Sequence, residues 1–153
     1  MISSKQILKS HKNSILLGVG FLFLLLAISC RKVRNHPVPS IPFSISVNMS
    51  LPSYNALQGV GGWAYVEGGS RGIIVYRRSI DEFVAFDRHS PIDNDQNCTD
   101  PLVVNATNFL ELDDVCTNGK FSLYDGSPIS NSEFGLRQYQ VTWDGGFVLQ
   151  VFN

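Results

Sequence analysis

The chain is poor in the residues that reactive centres use most: its 153 residues include three cysteines, three histidines and two methionines. Soft and imidazole donors are too few for a crowded metal or redox centre. Acidic charge is missing from the opening stretch, with no Asp or Glu before Glu67. No apolar run reaches the ~20 residues that a membrane-spanning helix usually needs. Catalytic patterns are missing too: there is no nucleophile elbow, no spaced histidine pair, and no thiol beside a histidine with an orienting partner. Adjacent carboxylates such as Asp113 and Asp114 would face opposite ways on a strand and could not share a substrate. These absences argue against an enzyme.

What is present begins with an export signal. Lys5, Lys9 and Lys12 form a basic opening, followed by residues 15–29, ILLGVGFLFLLLAIS, without a charge. That length suits the apolar zone of a secretory signal. Leu26, Ala27, Ile28, Ser29 and Cys30 then resemble the lipobox of bacterial lipoprotein precursors, in which small side chains expose the bond before a cysteine that takes the lipid. Residues 1–29 are expected to be a signal peptide and Cys30 the lipidated residue. Two or three acyl chains hold a protein stably on a bilayer, whereas one binds only marginally. Residues 30–42 read as a tether, because Pro37, Pro39 and Pro42 favour extended chain over a packed element. Arg31, Lys32 and Arg34 stand next to the lipid and could touch anionic headgroups. Since Arg31 rather than Asp follows Cys30, resemblance to other lipoproteins implies the outer membrane, with the periplasmic face as the expected location.

Residues 43–153 are long enough for one small domain. They hold all thirteen acidic residues of the chain against six basic ones, Arg71, Arg77, Arg78, Arg88, Lys120 and Arg137, a difference of −7. A nucleic-acid partner would call for a basic face, so that class is set aside. Short alternating or apolar runs separated by turns predict strands at residues 43–49, 63–66, 72–76, 83–86, 102–104, 109–112, 121–124, 137–143 and 147–152. Gly68 and Gly69 predict one hairpin turn, and Asp144, Gly145 and Gly146 another. Residues 53–58 alone could form a helical turn. The expected fold is all-β, a small sandwich or partial barrel of antiparallel strands. Aromatic residues such as Trp63, Tyr76, Phe86 and Tyr139 fall on strand positions, where core packing is their ordinary use.

Two stretches carry a resemblance. Val75, Tyr76, Arg77 and Arg78, then Phe83 to Phe86 and Asp87, Arg88, His89, Ser90 and Pro91, resemble a strand and first cluster loop of Rieske iron–sulfur domains. Cys116, Thr117, Asn118, Gly119 and Lys120, followed by Phe121 to Pro128, resemble the second loop and the strand after it. The likeness covers roughly residues 60–153. It implies a β domain with a [2Fe-2S] cluster between two loops at one tip. The family holds that cluster with two Cys on one iron and two His on the other. Here the first pair falls on Ser90 and Ile92; in the second loop Cys116 remains, but Asn118 stands where histidine belongs. The resemblance therefore implies degenerate cluster positions at Ser90, Ile92, Cys116 and Asn118, and no cofactor. Residues 43–153 contain one histidine, His89, so shifting the register still leaves an imidazole missing.

Cys98 and Cys116 form an even pair in a chain expected outside the cytoplasm, which points to a disulfide. Such a bridge would contribute ~3 kcal/mol on the chain-entropy model, less any native strain. His89 and Cys116 offer a weaker reading as metal ligands, against a surface His89 bonded to a neighbour. Asp93 and Asp95, with Asp113 or Asp114, could gather a loose cation site, but the calcium-loop pattern fails because Cys98 and Val104 stand where Gly and Glu belong. A solvated turn is the simpler reading. The sequence thus favours a cluster-free Rieske-like envelope lipoprotein with a binding, assembly or structural role and an envelope protein as a possible partner. An electron carrier with an altered site, or a thiol–disulfide redox protein using Cys98 and Cys116, are the alternatives.

Overall fold

The computed structural model of the protein describes residues 35–92 and 99–153. The lipobox with Cys30, and the acidic segment with Asp93, Asp95 and Cys98, lie outside the described residues. The described chain is all-β. Ten strands run in the order β1 (Ser44–Asn48), β2 (Trp63–Val66), β3 (Ile73–Arg77), β4 (Phe83–Asp87), β5 (Val103–Val104), β6 (Glu111–Asp113), β7 (Lys120–Ser122), β8 (Pro128–Ser130), β9 (Gln138–Trp143) and β10 (Val148–Phe152). The helical turn expected near residue 55 is a 3-10 turn at Asn55–Gln58.

The strands form two antiparallel sheets. One has six strands in the order β1-β10-β9-β4-β3-β2, the other four in the order β5-β6-β7-β8. β4 pairs directly with β9, Ala85 opposite Tyr139, although about fifty residues separate them in sequence. The whole four-stranded sheet is therefore an insertion between two neighbouring strands of the larger one.

Burial explains the sequence pattern of β3 and β4. Ile73, Val75, Phe83 and Ala85 join one core cluster with Val47, Leu149 and Val151. Their alternate neighbours Ile74, Tyr76, Val84 and Phe86 join a second cluster with Leu102, Leu112, Phe121, Leu123 and Leu136. A strand covered on both faces needs no polar alternation, hence the unbroken apolar runs. β10 is covered on one face only and alternates, with Leu149 and Val151 buried and Val148 and Gln150 exposed.

β8 escapes the sequence pattern. It is three residues long, opens on Pro128 and lies at the edge of its sheet, the position where a strand tolerates a missing N–H. The strand expected to begin at Phe109 starts instead at Glu111. Asn105 is responsible: its Oδ1 accepts the N–H groups of Thr107 and Asn108 and the Thr107 hydroxyl, so Phe109 and Leu110 belong to an exposed turn.

The compact unit runs from His36 to Asn153, so residues 36–42 are less of a free tether than their prolines imply. Val38 is 1% exposed. Its N–H donates to His36 Nδ1 at 3.1 Å, and its carbonyl accepts Arg137 Nε at 2.8 Å.

Candidate functional site

The insertion begins where β4 ends, and its two loops meet there. Asp87, the last residue of β4, is a fully buried carboxylate. Its Oδ2 accepts the Ser70 N–H at 2.6 Å and the Tyr139 hydroxyl at 2.6 Å. Its Oδ1 accepts the His89 N–H at 2.7 Å and the Arg71 N–H at 3.3 Å. Four donors on one carboxylate offset the cost of burying its charge. They also tie the glycine-rich turn after β2, the start of the insertion and β9 to one point. Gly69 permits this closeness: with φ at +62°, a Cβ there would stand 2.5 Å from Asp87 Oδ2. Burial first, and then the bond to Asp87, hold the Tyr139 phenol well above its ordinary pKa of 10.0.

The first loop follows. His89 is half-buried, and its Nδ1 lies 2.7 Å from Ser70 Oγ. A serine beside an imidazole resembles half of a nucleophilic pair. The backbone N–H groups of Ser70 and Arg71 are committed to Asp87 and are not available to an oxyanion. Ser90 is 4% exposed, and its Oγ accepts the Ile92 N–H at 3.2 Å. Ile92 is half-buried and packs against the second core cluster.

The second loop is organised by Asp114. Its Oδ1 accepts the N–H groups of Cys116 and Thr117, and its Oδ2 accepts the Thr117 hydroxyl at 2.7 Å. Ser90 also bonds to this carboxylate, which joins the two loops. Burial pushes the Asp114 pKa up, but these hydrogen bonds outweigh it and leave the group below its ordinary value of 3.8. Asn118 takes the left-handed φ of 57° that its short side chain tolerates, donates its N–H to the Asp114 carbonyl, and accepts Asn131 Nδ2 at 3.1 Å. Gly119 then meets Ile92: a Cβ on Gly119 would stand 2.1 Å from Ile92 Cδ1.

The structure therefore brings Ser90, Ile92, Cys116 and Asn118 into two loops that touch. His89 Nδ1 lies against Ser70 Oγ. Asp113 is separate, held by Lys120 Nζ at 3.2 Å and Asn105 Nδ2 at 2.6 Å, while Asp114 serves the turn. Of the loose cation set, Asp93 and Asp95 lie outside the described residues. Among the described residues, no group of three His, Cys, Asp or Glu side chains is placed to hold a metal ion. No described helix is long and apolar enough to cross a membrane.

Starting the unit at His36 adds a second imidazole to it, but both of its nitrogens face backbone. Nε2 lies 3.0 Å from the Gly135 carbonyl, and Nδ1 accepts the Val38 N–H. Sequence reasoning missed the Asp87 network, because a β-strand ending in Asp gives no sign of a buried carboxylate. The signal available was the neighbouring run Gly68, Gly69, Ser70, whose small residues supply the close backbone approach. A comparison with protein-family models finds no match, and a comparison with curated proteins finds none either.

Proposed function

We propose that the chain is an exported lipoprotein, held on a membrane through Cys30, whose Rieske-like domain has exchanged its iron–sulfur ligands for packing and hydrogen-bonding residues. Its role is then binding, assembly or structural support, not catalysis. The export reading rests on the basic opening, the apolar zone and the lipobox. Arg31 in place of Asp favours the outer membrane, with the domain on the periplasmic face.

The observation that carries the domain reading is the chemistry of the tip. A sheet inserted between β4 and β9 presents two touching loops, the arrangement that the resemblance implies. The residues at the four ligand positions do not suit a cluster. Ser90 spends its hydroxyl on Asp114 and Ile92, Ile92 offers only carbon, and Asn118 has no imidazole. Cys116 alone is of a type that could supply a thiolate.

A Cys98–Cys116 disulfide completes this reading. If Cys30 carries lipid, Cys98 is the remaining partner for Cys116. The link would then join the loops covalently where relatives use a cluster.

Elemental analysis, acid-labile sulfide and a thiol count on anaerobically purified full-length protein test the reading together. The expected result is no iron or sulfide, no reactive thiol at Cys98 or Cys116 before reduction, and a lipid-sized mass increment on the peptide that carries Cys30. Two irons and two sulfides per chain would overturn it in favour of an electron carrier. A bridge reduced at the mild potentials of labile disulfides would replace it with the thiol–disulfide reading.

A further inference from the structure

Arg88 is the first residue after β4, and its guanidinium is pinned but uncompensated. Its Nε donates to the Leu102 carbonyl at 2.8 Å. Its Cζ lies 3.6 Å from the centroid of the Tyr65 ring. Tyr65 is fixed in turn, because its hydroxyl accepts the Val104 N–H at 3.0 Å. Among the described residues no carboxylate pairs with Arg88. Asp87, its neighbour in sequence, gives its oxygens to Ser70, Tyr139, His89 and Arg71. Burial without a counter-charge holds the Arg88 pKa below its usual value.

An arginine carries five N–H donors, and Nε accounts for one. The other four sit on Nη1 and Nη2. Nη1 lies 3.6 Å from where a Cβ on Gly72 would stand, so it borders the glycine turn at residues 68–72. That turn, Tyr54, Tyr65, Glu67, Arg71 and Arg88 line a polar cleft of about 650 Å³. The volume is within the usual range for small-ligand sites, roughly 300–1,000 Å³. Half-buried polar groups normally find partners, and a planar fork held on an aromatic face is pre-organised for a planar or tetrahedral oxyanion.

We propose that this cleft binds an oxyanion, a carboxylate or a phosphate, with Arg88 as the fork and Tyr65 as the platform that holds it. The site is independent of the proposal for the tip loops. A small soluble acid and a phospholipid headgroup offer the same chemistry, and the test separates them.

The full-length chain in neutral detergent is titrated with orthophosphate, and separately with acetate, against chloride at matched ionic strength, while Arg side-chain Nε–H and backbone N–H resonances are followed. The expected result is a saturable shift at Arg88 Nε and the Gly72 amide. In Arg88→Lys the midpoint should weaken about tenfold or more, because the charge stays while the fork and stacking go. Arg78→Gln, outside the cleft, should leave it unchanged. Vesicles of phosphatidylglycerol that displace phosphate, where phosphatidylcholine vesicles do not, would assign the anion to a headgroup; displacement by neither would assign it to a soluble acid. Shifts that fail to saturate, that chloride reproduces, or that persist in Arg88→Lys would overturn the proposal. Should Arg88→Lys not fold, the wild-type thermal midpoint decides: phosphate must raise it more than chloride does, as a ligand of the native state would. An equal rise would overturn the site.

Discussion

The six-stranded sheet and the four-stranded insertion are stabilised by different means. The larger sheet has long ladders, five residue pairs between β1 and β10 and five between β3 and β4. Its own core is apolar, from Val47 through Ile73 and Ala85 to Val151. The insertion has strands of two or three residues. Side-chain bonds lock its turns: Asn105 shapes the β5–β6 turn, Asp114 the β6–β7 turn, and Asp125 accepts Ser127 after β7. Nor does the insertion own its core. Leu102, Leu112, Phe121, Leu123 and Leu136 bury themselves against Ile74, Tyr76, Val84 and Phe86 of β3 and β4. The dependence runs one way: the insertion needs the back of the larger sheet, while the larger sheet keeps a core on its other face.

Phe86→Ala strikes that shared wall and should have the largest effect. Phe86 is fully buried, and Gly126 lies against its ring so closely that a Cβ would stand 2.6 Å from Cε1. Truncation should cost about 4 kcal/mol in urea unfolding, within the range for buried Phe→Ala changes. Native-state hydrogen exchange sharpens the comparison. Amides of β6 and β7 should lose protection before those of β1 and β10, because local opening follows the weaker unit. Equal loss in both sheets would break the distinction.

Much of the larger sheet was legible in sequence because its strands follow simple periods. Residues 137–143 alternate, and the Asp144–Gly145–Gly146 turn joins them to the apolar run 147–152; the double Gly at 68–69 does the same for β2 and β3. The unbroken runs at residues 73–76 and 83–86 gave strands but not the second sheet behind them. That needed Leu102, Leu112 and Phe121, which lie far along the chain and on strands too short to show a period. The tip was legible in part. Ser90 and Cys116 stand in the two loops that the resemblance implies, but the carboxylates that organise the region, Asp87 and Asp114, carry no mark of that role in sequence. Nothing local marks an Asp as buried, since burial depends on donors from Ser70, Tyr139 and Ser90, all distant in sequence.

Asp87→Asn tests the knot between the two units and should rank next. The amide leaves one oxygen for four donors and turns an NH2 toward two of them. Buried donors left unmade cost about 1–3 kcal/mol each, so a loss of about 3 kcal/mol is expected, with both sheets affected. Asp114→Ala should be smaller and confined to the insertion, about 2 kcal/mol in urea unfolding. Its pH dependence identifies it. Because the folded pKa lies below the ordinary 3.8, the carboxylate contributes stability above that value, and this is lost as pH falls through the folded pKa. Wild type should therefore lose more stability than Asp114→Ala on acidification below 3.8. Parallel curves would remove Asp114 from the joint between the loops.

Tyr139→Phe should be the mildest change, since it keeps the ring and removes one hydroxyl. Phe43 packs edge-on against that ring with centroids 4.6 Å apart, and the contact survives the substitution. What goes is the bond from the hydroxyl to Asp87, about 1.5 kcal/mol at neutral pH. The alkaline limb decides whether that bond works as described. Burial and the Asp87 charge raise the phenol's pKa in the folded protein, so its protonated form contributes stability fully below 10.0, and this fades as pH climbs toward the higher folded value. Wild type should weaken above pH 10 by more than Tyr139→Phe does, and the two curves should converge there. Curves that stay parallel would mean that Tyr139 titrates alike in both states, and β9 would then be fastened to the start of the insertion by packing rather than by a shared proton.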